Sequence, residues 1–182
     1  DKIAKSNPEA SRAEKIKMNN LCNAIVLTSQ GVPFLHGGVE LLRTKFGVEN
    51  SYQSSDRINQ IEWVSKLDVL DTFYYYQGLI KLRNAHPAFR MTTAEQIKDN
   101  LEFFTTPKGV IGYQLRDHAN GDNWKSIVVI YNPLVKECKV TLPEGNDWKV
   151  VVKGARAGTK VLETITSADV VVPKISTMVL YQ

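Results

Sequence analysis

Four side chains with chemistry to offer sit close together in the sequence: Asn50, Tyr52, Asp56 and Asn59. Amides and a carboxylate can pair with the hydroxyls of a sugar, and a tyrosine ring can stack on a pyranose face. The same residue types also satisfy their own backbone in turns, so on their own they read as a self-capped polar loop. Just ahead runs Ser29-Gln30-Gly31-Val32-Pro33-Phe34-Leu35-His36-Gly37-Gly38-Val39-Glu40. Its apolar residues 32–36 are predicted to form a strand covered on both faces, ending at His-Gly-Gly and handing His36 to a rim. His36 either faces a site or fixes the following turn through a ring hydrogen bond. The second reading is preferred, with Gly37 and Gly38 supplying positive φ.

Other chemistries find little support. Asp56 and Glu62 are the one candidate acid–base pair, and no neighbour in the sequence is placed to raise either pKa, so no catalytic residue is assigned. The chain lacks CxxC, HExxH and EF-hand patterns, and no metal or cofactor is expected. Cys22 and Cys138 are read as small buried hydrophobes rather than a disulfide. The formal net charge of +4 is spread along the 182 residues without a run of five basic side chains. Nucleic acid and membrane are therefore not expected partners. The first residues are polar and lack the apolar core of a signal peptide.

The elements that must position these residues follow from periodicity. Residues 11–30 form a predicted helix opened by a Ser11/Glu14 capping box and stopped by Gly31, with Met18, Leu21, Cys22, Ile25 and Val26 on its apolar face. Residues 46–66 read as loop. A second helix spans about 66–84 and ends at His86-Pro87, with Tyr74 in the core and Tyr75 and Tyr76 partly exposed. Phe89 reads as an aromatic plug. Beyond Arg90 the pattern becomes short β-rich runs at 101–105, 110–115, 126–131, 138–142, 149–152, 169–172 and 177–181, separated by turn residues, as in an antiparallel β-sandwich. Trp124 and Trp148 are read as core or seam anchors rather than a surface platform.

The apolar run with Leu42-Arg43-Thr44-Lys45, then Asn50-Ser51-Tyr52-Gln53-Ser54-Ser55-Asp56-Arg57-Ile58-Asn59 with Trp63, and Leu82-Arg83-Asn84-Ala85-His86-Pro87-Ala88-Phe89-Arg90, resembles the C-terminal part of a type I pullulanase of the alpha-amylase superfamily. Asp1-Lys2 also fits, following closely on a His-Asp-Asn segment in that family. The resemblance implies an α+β chain: residues 1–90 as the last strand and helices of a (β/α)8 barrel, and residues 91–182 as the C-terminal β-sandwich. It implies a retaining glycoside hydrolase acting on α-1,6 bonds of branched α-glucans, whose catalytic carboxylates, about 5–5.5 Å apart in such enzymes, lie upstream of Asp1.

By the same resemblance Asn50, Tyr52, Asp56 and Asn59 contact the glucan, while His36 and Glu40 are structural residues of the cleft rim. Ser55 replaces the family's usual proline and so makes the loop less rigid. The partners implied are α-glucan and the remainder of the parent barrel or another copy of the chain. A free-standing β-sandwich module binding carbohydrate or protein, with a helical extension, is the alternative. The stretch from His36 to Asn59 separates the two, since a simple binding module has no use for a buried strand ending at a polar loop.

Overall fold

A computed structural model describes residues 1–182. Five helices lie in the first hundred residues: α1 (Lys2–Ser6), α2 (Arg12–Thr28), α3 (Asp56–Asn59), α4 (Leu70–Ala85) and α5 (Ala94–Asn100). Eight strands follow: β1 (Leu101–Phe103), β2 (Ile111–Leu115), β3 (Ile127–Asn132), β4 (Cys138–Thr141), β5 (Trp148–Val152), β6 (Glu163–Ile165), β7 (Asp169–Val172) and β8 (Ser176–Tyr181). Six form one sheet in the order β1-β2-β3-β8-β5-β6, and β4 and β7 pair separately. Every pairing is antiparallel.

The alternation of side chains along the central strands explains the layering. All six residues of β3 are buried, because both faces of the sheet are covered. Ile127, Val129 and Tyr131 join Leu21, Ala24 and Leu27 of α2 and Tyr75, Leu79 and Leu82 of α4 in one core. Val128 and Ile130 point the other way, into a second core with Val140, Val170 and Val172 of the β4–β7 pair and the buried Trp148. The strands expected after Arg90 all form, and β6 and α5 are additional elements.

Three local expectations are corrected. Residues 32–36 form no strand, and Val32 and Phe34 are 95% and 88% exposed. A parallel strand is built from ladder partners on its neighbours, and this chain places none beside it. Tyr74 is the exposed member of its trio, at 56%, while Tyr75 and Tyr76 are buried. The buried face of α4 is Thr72, Tyr75, Tyr76, Leu79, Leu82 and Arg83, which leaves Leu70, Tyr74 and Ile80 outward. Cys22 is exposed because α2 turns Leu21 and Ala24 to the core instead, and Cys138 at the start of β4 is half-buried; both are free thiols.

Polar groups tie the helices to the sheet. The capping box forms, with the Ser11 and Glu14 amides each donating to the other residue's side chain. The other end of α2 is held differently from the expected glycine stop. Buried Arg83 donates to the carbonyls of Leu27 (3.0 Å), Ser29 (2.7 Å) and Gly31 (2.6 Å). At the buried seam, Tyr113 Oη donates to the Thr28 carbonyl at 2.6 Å. Thr28 Oγ1 donates to the Ala24 carbonyl at 2.7 Å, so Tyr131 Oη donates its own proton to Thr28 Oγ1 at 2.6 Å. Burial pushes both phenols above their ordinary range, which keeps them neutral donors.

The corner after α4 is held by a buried carboxylate. Asp122 accepts from His86 Nδ1 (3.0 Å), the Trp124 amide (2.9 Å) and the Ala88 amide (3.1 Å). His86 stacks on one face of Trp124 and Tyr181 on the other, at centroid distances of 3.4 and 3.7 Å. Both faces of that indole are taken, so it offers no platform to a ligand. Phe89 is fully buried beside this corner.

Gly78 is the tightest contact between α4 and the β-rich half. A Cβ there would lie 2.1 Å from the Ala157 carbonyl oxygen, so only glycine admits this approach. Gly78→Ala should therefore lower unfolding stability by about 1–3 kcal/mol or more. Urea denaturation checks this, and an unchanged midpoint would contradict the packing described.

Candidate functional site

The polar loop is assembled on a short chain of supports that begins at Arg83. Besides the three Arg83 bonds, Gln30 Nε2 donates to the Ala88 carbonyl at 2.8 Å and its Oε1 accepts from the Met91 amide at 3.0 Å. These fix where residues 32–36 start. At their end the His36 carbonyl accepts from the Val39 amide at 3.1 Å. The ring of His36 makes no hydrogen bond within the chain, so the carbonyl and not the imidazole holds the turn. Gly38 has φ +89° while Gly37 does not adopt a positive φ, so one of the two glycines carries the turn's requirement.

A 3-10 turn, Val39–Leu41, follows and sets Glu40 half-buried near Tyr76. Burial raises the Tyr76 phenol above its usual range, and the Glu40 carboxylate adds to the rise. Asn19 Nδ2 donates to Tyr76 Oη at 2.8 Å and to the Val39 carbonyl at 3.4 Å, tying α4 and the turn to α2.

Two cations organise what comes next. Arg43 Nη1 donates to the Gly37 carbonyl at 3.2 Å, and Nη2 donates to the Asn59 carbonyl. Lys45 Nζ donates to Ser51 Oγ (2.5 Å) and Asn59 Oδ1 (3.1 Å). Asn59 Nδ2 in turn donates to the Ser51 and Ser54 carbonyls at 2.7 and 2.9 Å. Asn59 thus spends both its amide hydrogens and its oxygen inside the loop.

The other three sequence-predicted residues behave differently. Asn50, Tyr52 and Asp56 are exposed and their side chains make no hydrogen bond or ion pair within the chain; Tyr52 is 78% exposed. Asp56 opens α3, where the helix dipole favours its charge. The loop is therefore self-capped through Asn59 and outward-facing through the other three. Asp56 and Glu62 are not joined, and Glu62 accepts instead from Gln60 Nε2 at 2.7 Å.

His36 and Arg43 line a groove of about 610 Å³ together with Asp1, Lys5, Arg12 and Lys15. No group of three or more His, Cys, Asp or Glu is placed to hold a metal ion. No helix is long and apolar enough to cross a membrane. Periodicity did not single out Arg43 or Lys45 as supports of the loop. The one available signal was the Leu42-Arg43-Thr44-Lys45 tetrapeptide, where two cations sit two positions apart between an apolar turn and a polar loop.

Comparison with known proteins gives this arrangement its family. Residues 97–156 match the family model described as the pullulanase all-beta domain. The chain is 38% identical to a pullulanase of Bacillus subtilis strain 168 over 181 residues, covering 100% of this chain and 25% of that protein. The solved pullulanase of Bacillus acidopullulyticus superposes with a TM-score of 0.96 at 48% identity, covering 100% of this chain and 22% of the other. A pullulanase of Paenibacillus barengoltzii, solved in complex with maltohexaose and α-cyclodextrin, gives 0.90 at 41% identity, with coverage of 99% and 27%.

The relatives that match, pullulanases and isoamylases, define the class, the starch-debranching glycoside hydrolases. Within that class it belongs to the pullulanase family, and it spans about a quarter of the length of the relatives it matches.

The two kinds of loop residue should separate under limited proteolysis. Asn59→Ala removes three hydrogen bonds, and cleavage within residues 50–60 should speed up roughly tenfold, as expected for about 1–3 kcal/mol of lost local stability. Tyr52→Ala should leave the rate unchanged. Equal sensitivity of the two variants would contradict the assignment of Asn59 as the loop's support.

Proposed function

We propose that this chain is the C-terminal part of a type I pullulanase that cleaves α-1,6-glucosidic bonds in branched α-glucans with retention of configuration. In this reading residues 1–90 are the last strand segment and flanking helices of a (β/α)8 barrel, and residues 91–182 are a C-terminal β-sandwich domain. The catalytic carboxylates lie upstream of Asp1. One attacks the anomeric carbon while the other protonates the leaving oxygen, and water then releases the glycosyl group with the second carboxyl acting as base.

The observation that carries this is the contrast along residues 32–59. Val32 and Phe34 stand almost fully exposed, a loss of about 1.5–3 kcal/mol each relative to burial. They lead directly to a turn and loop held by their own hydrogen bonds. An apolar run with no ladder partner beside a finished polar loop is what a barrel's last strand looks like without its neighbours. A free-standing binding module has no use for that exposed run. The remainder of the parent barrel is the partner that covers it.

The chain's own residues then bind and orient substrate. Asn50 offers both a donor and an acceptor to paired hydroxyls, Asp56 accepts from hydroxyl donors, and the exposed Tyr52 ring can lie against a pyranose face. Asn59 shapes the loop that presents them. His36 and Glu40 belong to the rim, the first on the groove wall and the second behind the turn. The maltohexaose complex of the Paenibacillus relative supports α-glucan as the ligand class.

Two measurements test this. The 182-residue chain alone should give no turnover of pullulan, and turnover would overturn the placement of the carboxylates. In the full-length parent, Asp56→Ala should raise KM about tenfold, as losing a hydrogen bond to a charged group implies, with folding stability unchanged. An unaltered KM would remove Asp56 from the glucan site.

A further inference from the structure

The Asp1 carboxylate reaches across the fold to the turn that precedes the polar loop. Its Oδ1 accepts from Thr44 Oγ1 at 2.8 Å and its Oδ2 accepts from the Lys45 amide at 2.8 Å. Thr44 Oγ1 in turn accepts from the Phe46 amide at 2.9 Å. A carboxylate with both oxygens engaged by neighbouring donors is a directional clamp, because two anchoring points fix orientation as well as distance.

What it clamps needs holding. Phe46 has φ +53° and the next residue, Gly47, has φ +80°. A bulky residue in the left-handed region is sterically disfavoured and persists only where its surroundings impose it. Phe46 is exposed, so side-chain packing does not impose it. The turn is closed by the Val48 amide donating to the Lys45 carbonyl at 3.0 Å, and its leading residues are held by the hydrogen bonds from the Phe46 amide to Thr44 and from Thr44 to Asp1. The ion pair between Lys5 of α1 and Glu49 closes the other side of the same turn.

The clamp connects to the loop through one residue. Lys45 gives its amide to Asp1 and its ammonium to Ser51 Oγ and Asn59 Oδ1. Asn59 then holds the carbonyls of Ser51 and Ser54. A continuous line of polar contacts therefore runs from Asp1 through Lys45 to the base of the segment that carries Asn50, Tyr52 and Asp56.

We infer that Asp1 is a positioning residue for that segment: its carboxylate sets the backbone of residues 44–46, and Lys45 transmits that setting to residues 51–59. This rests on the glucan-contacting role proposed above for the loop.

Amide hydrogen exchange on the 182-residue chain tests the structural half. Asp1→Ala should speed exchange at Lys45 and Phe46 and across residues 51–59 by about tenfold, with Asp1→Asn, which keeps one acceptor oxygen, falling between it and the parent sequence. Lys45→Met retains the backbone donor and removes the ammonium. It should loosen residues 51–59 while Lys45 and Phe46 amides stay protected near position 1. Combining Asp1→Ala with Thr44→Val should add little at Lys45 and speed exchange further at Phe46, whose amide loses its acceptor only in the second variant. If Asp1→Ala affects only residues 1–6 and 44–46, or if Lys45→Met leaves residues 51–59 unchanged, the transmission is refuted.

The functional half is read in the full-length parent acting on pullulan. Asp1→Ala should raise KM several-fold with kcat within about twofold, and Asp1→Asn should recover part of it. Loosened exchange with an unchanged KM for both Asp1→Ala and Asp56→Ala would refute the loop's glucan role instead. That outcome is distinct from the exchange result that refutes the clamp.

Discussion

Helices α2 and α4 carry more apolar surface than the six-stranded sheet can cover. One side of each is buried deeply: Leu21, Ala24 and Leu27 from α2 meet Tyr75, Leu79 and Leu82 from α4 over the face of β3 and β8. The other side keeps Ile25, Leu70, Tyr74 and Ile80 in the open, and residues 32–36 add Val32 and Phe34 to the same exposed population. Apolar side chains on a second helix face, outside the stripe turned to the core, are surface still to be covered. The arrangement of the rest of the chain follows from that imbalance, with a finished β-rich half on one flank and an uncovered strip on the other.

What keeps the two halves in a fixed relation is polar and buried. Thr28 sits at the end of α2 with its hydroxyl and carbonyl both spoken for by tyrosines from β2 and β3. Asp122 does the same for the corner after α4, taking three donors with no solvent to compete. Removing one partner from such a network leaves buried groups unpaired, which is costlier than the bonds are individually worth. Arg83 then carries this rigidity outward by gathering the exit carbonyls of Leu27, Ser29 and Gly31, and so aims the chain toward the loop.

Much of this was legible in the sequence where the signal is local. The Ser11/Glu14 cap, the helix stop at His86-Pro87 and the strands after Arg90 follow from capping chemistry, proline sterics and turn residues. Other features depend on what lies across the fold. Tyr74 and Tyr75 are chemically identical, and which one is buried is decided by how α4 rotates against α2, which no window of α4 contains. The strand expected at residues 32–36 failed for a related reason: its composition suits burial, but a strand exists only with a ladder partner. At the loop, the residue types of Asn50, Tyr52, Asp56 and Asn59 were visible, and their division of labour was not. Asn59 turns inward because Lys45 and two carbonyls are there to receive it, and those partners are five to fourteen residues away.

In the function proposed above, the polar loop is held by its own turns while the exposed run leading to it pairs with neighbouring strands of the parent barrel. The most direct measurement is hydrogen exchange at the amides of Val32, Phe34 and Leu35, compared between the 182-residue chain and the full-length parent. The account predicts near-unprotected exchange in the chain and slowing by about a hundredfold or more in the parent, where ladder partners would engage those amides. Fast exchange in both proteins would contradict it.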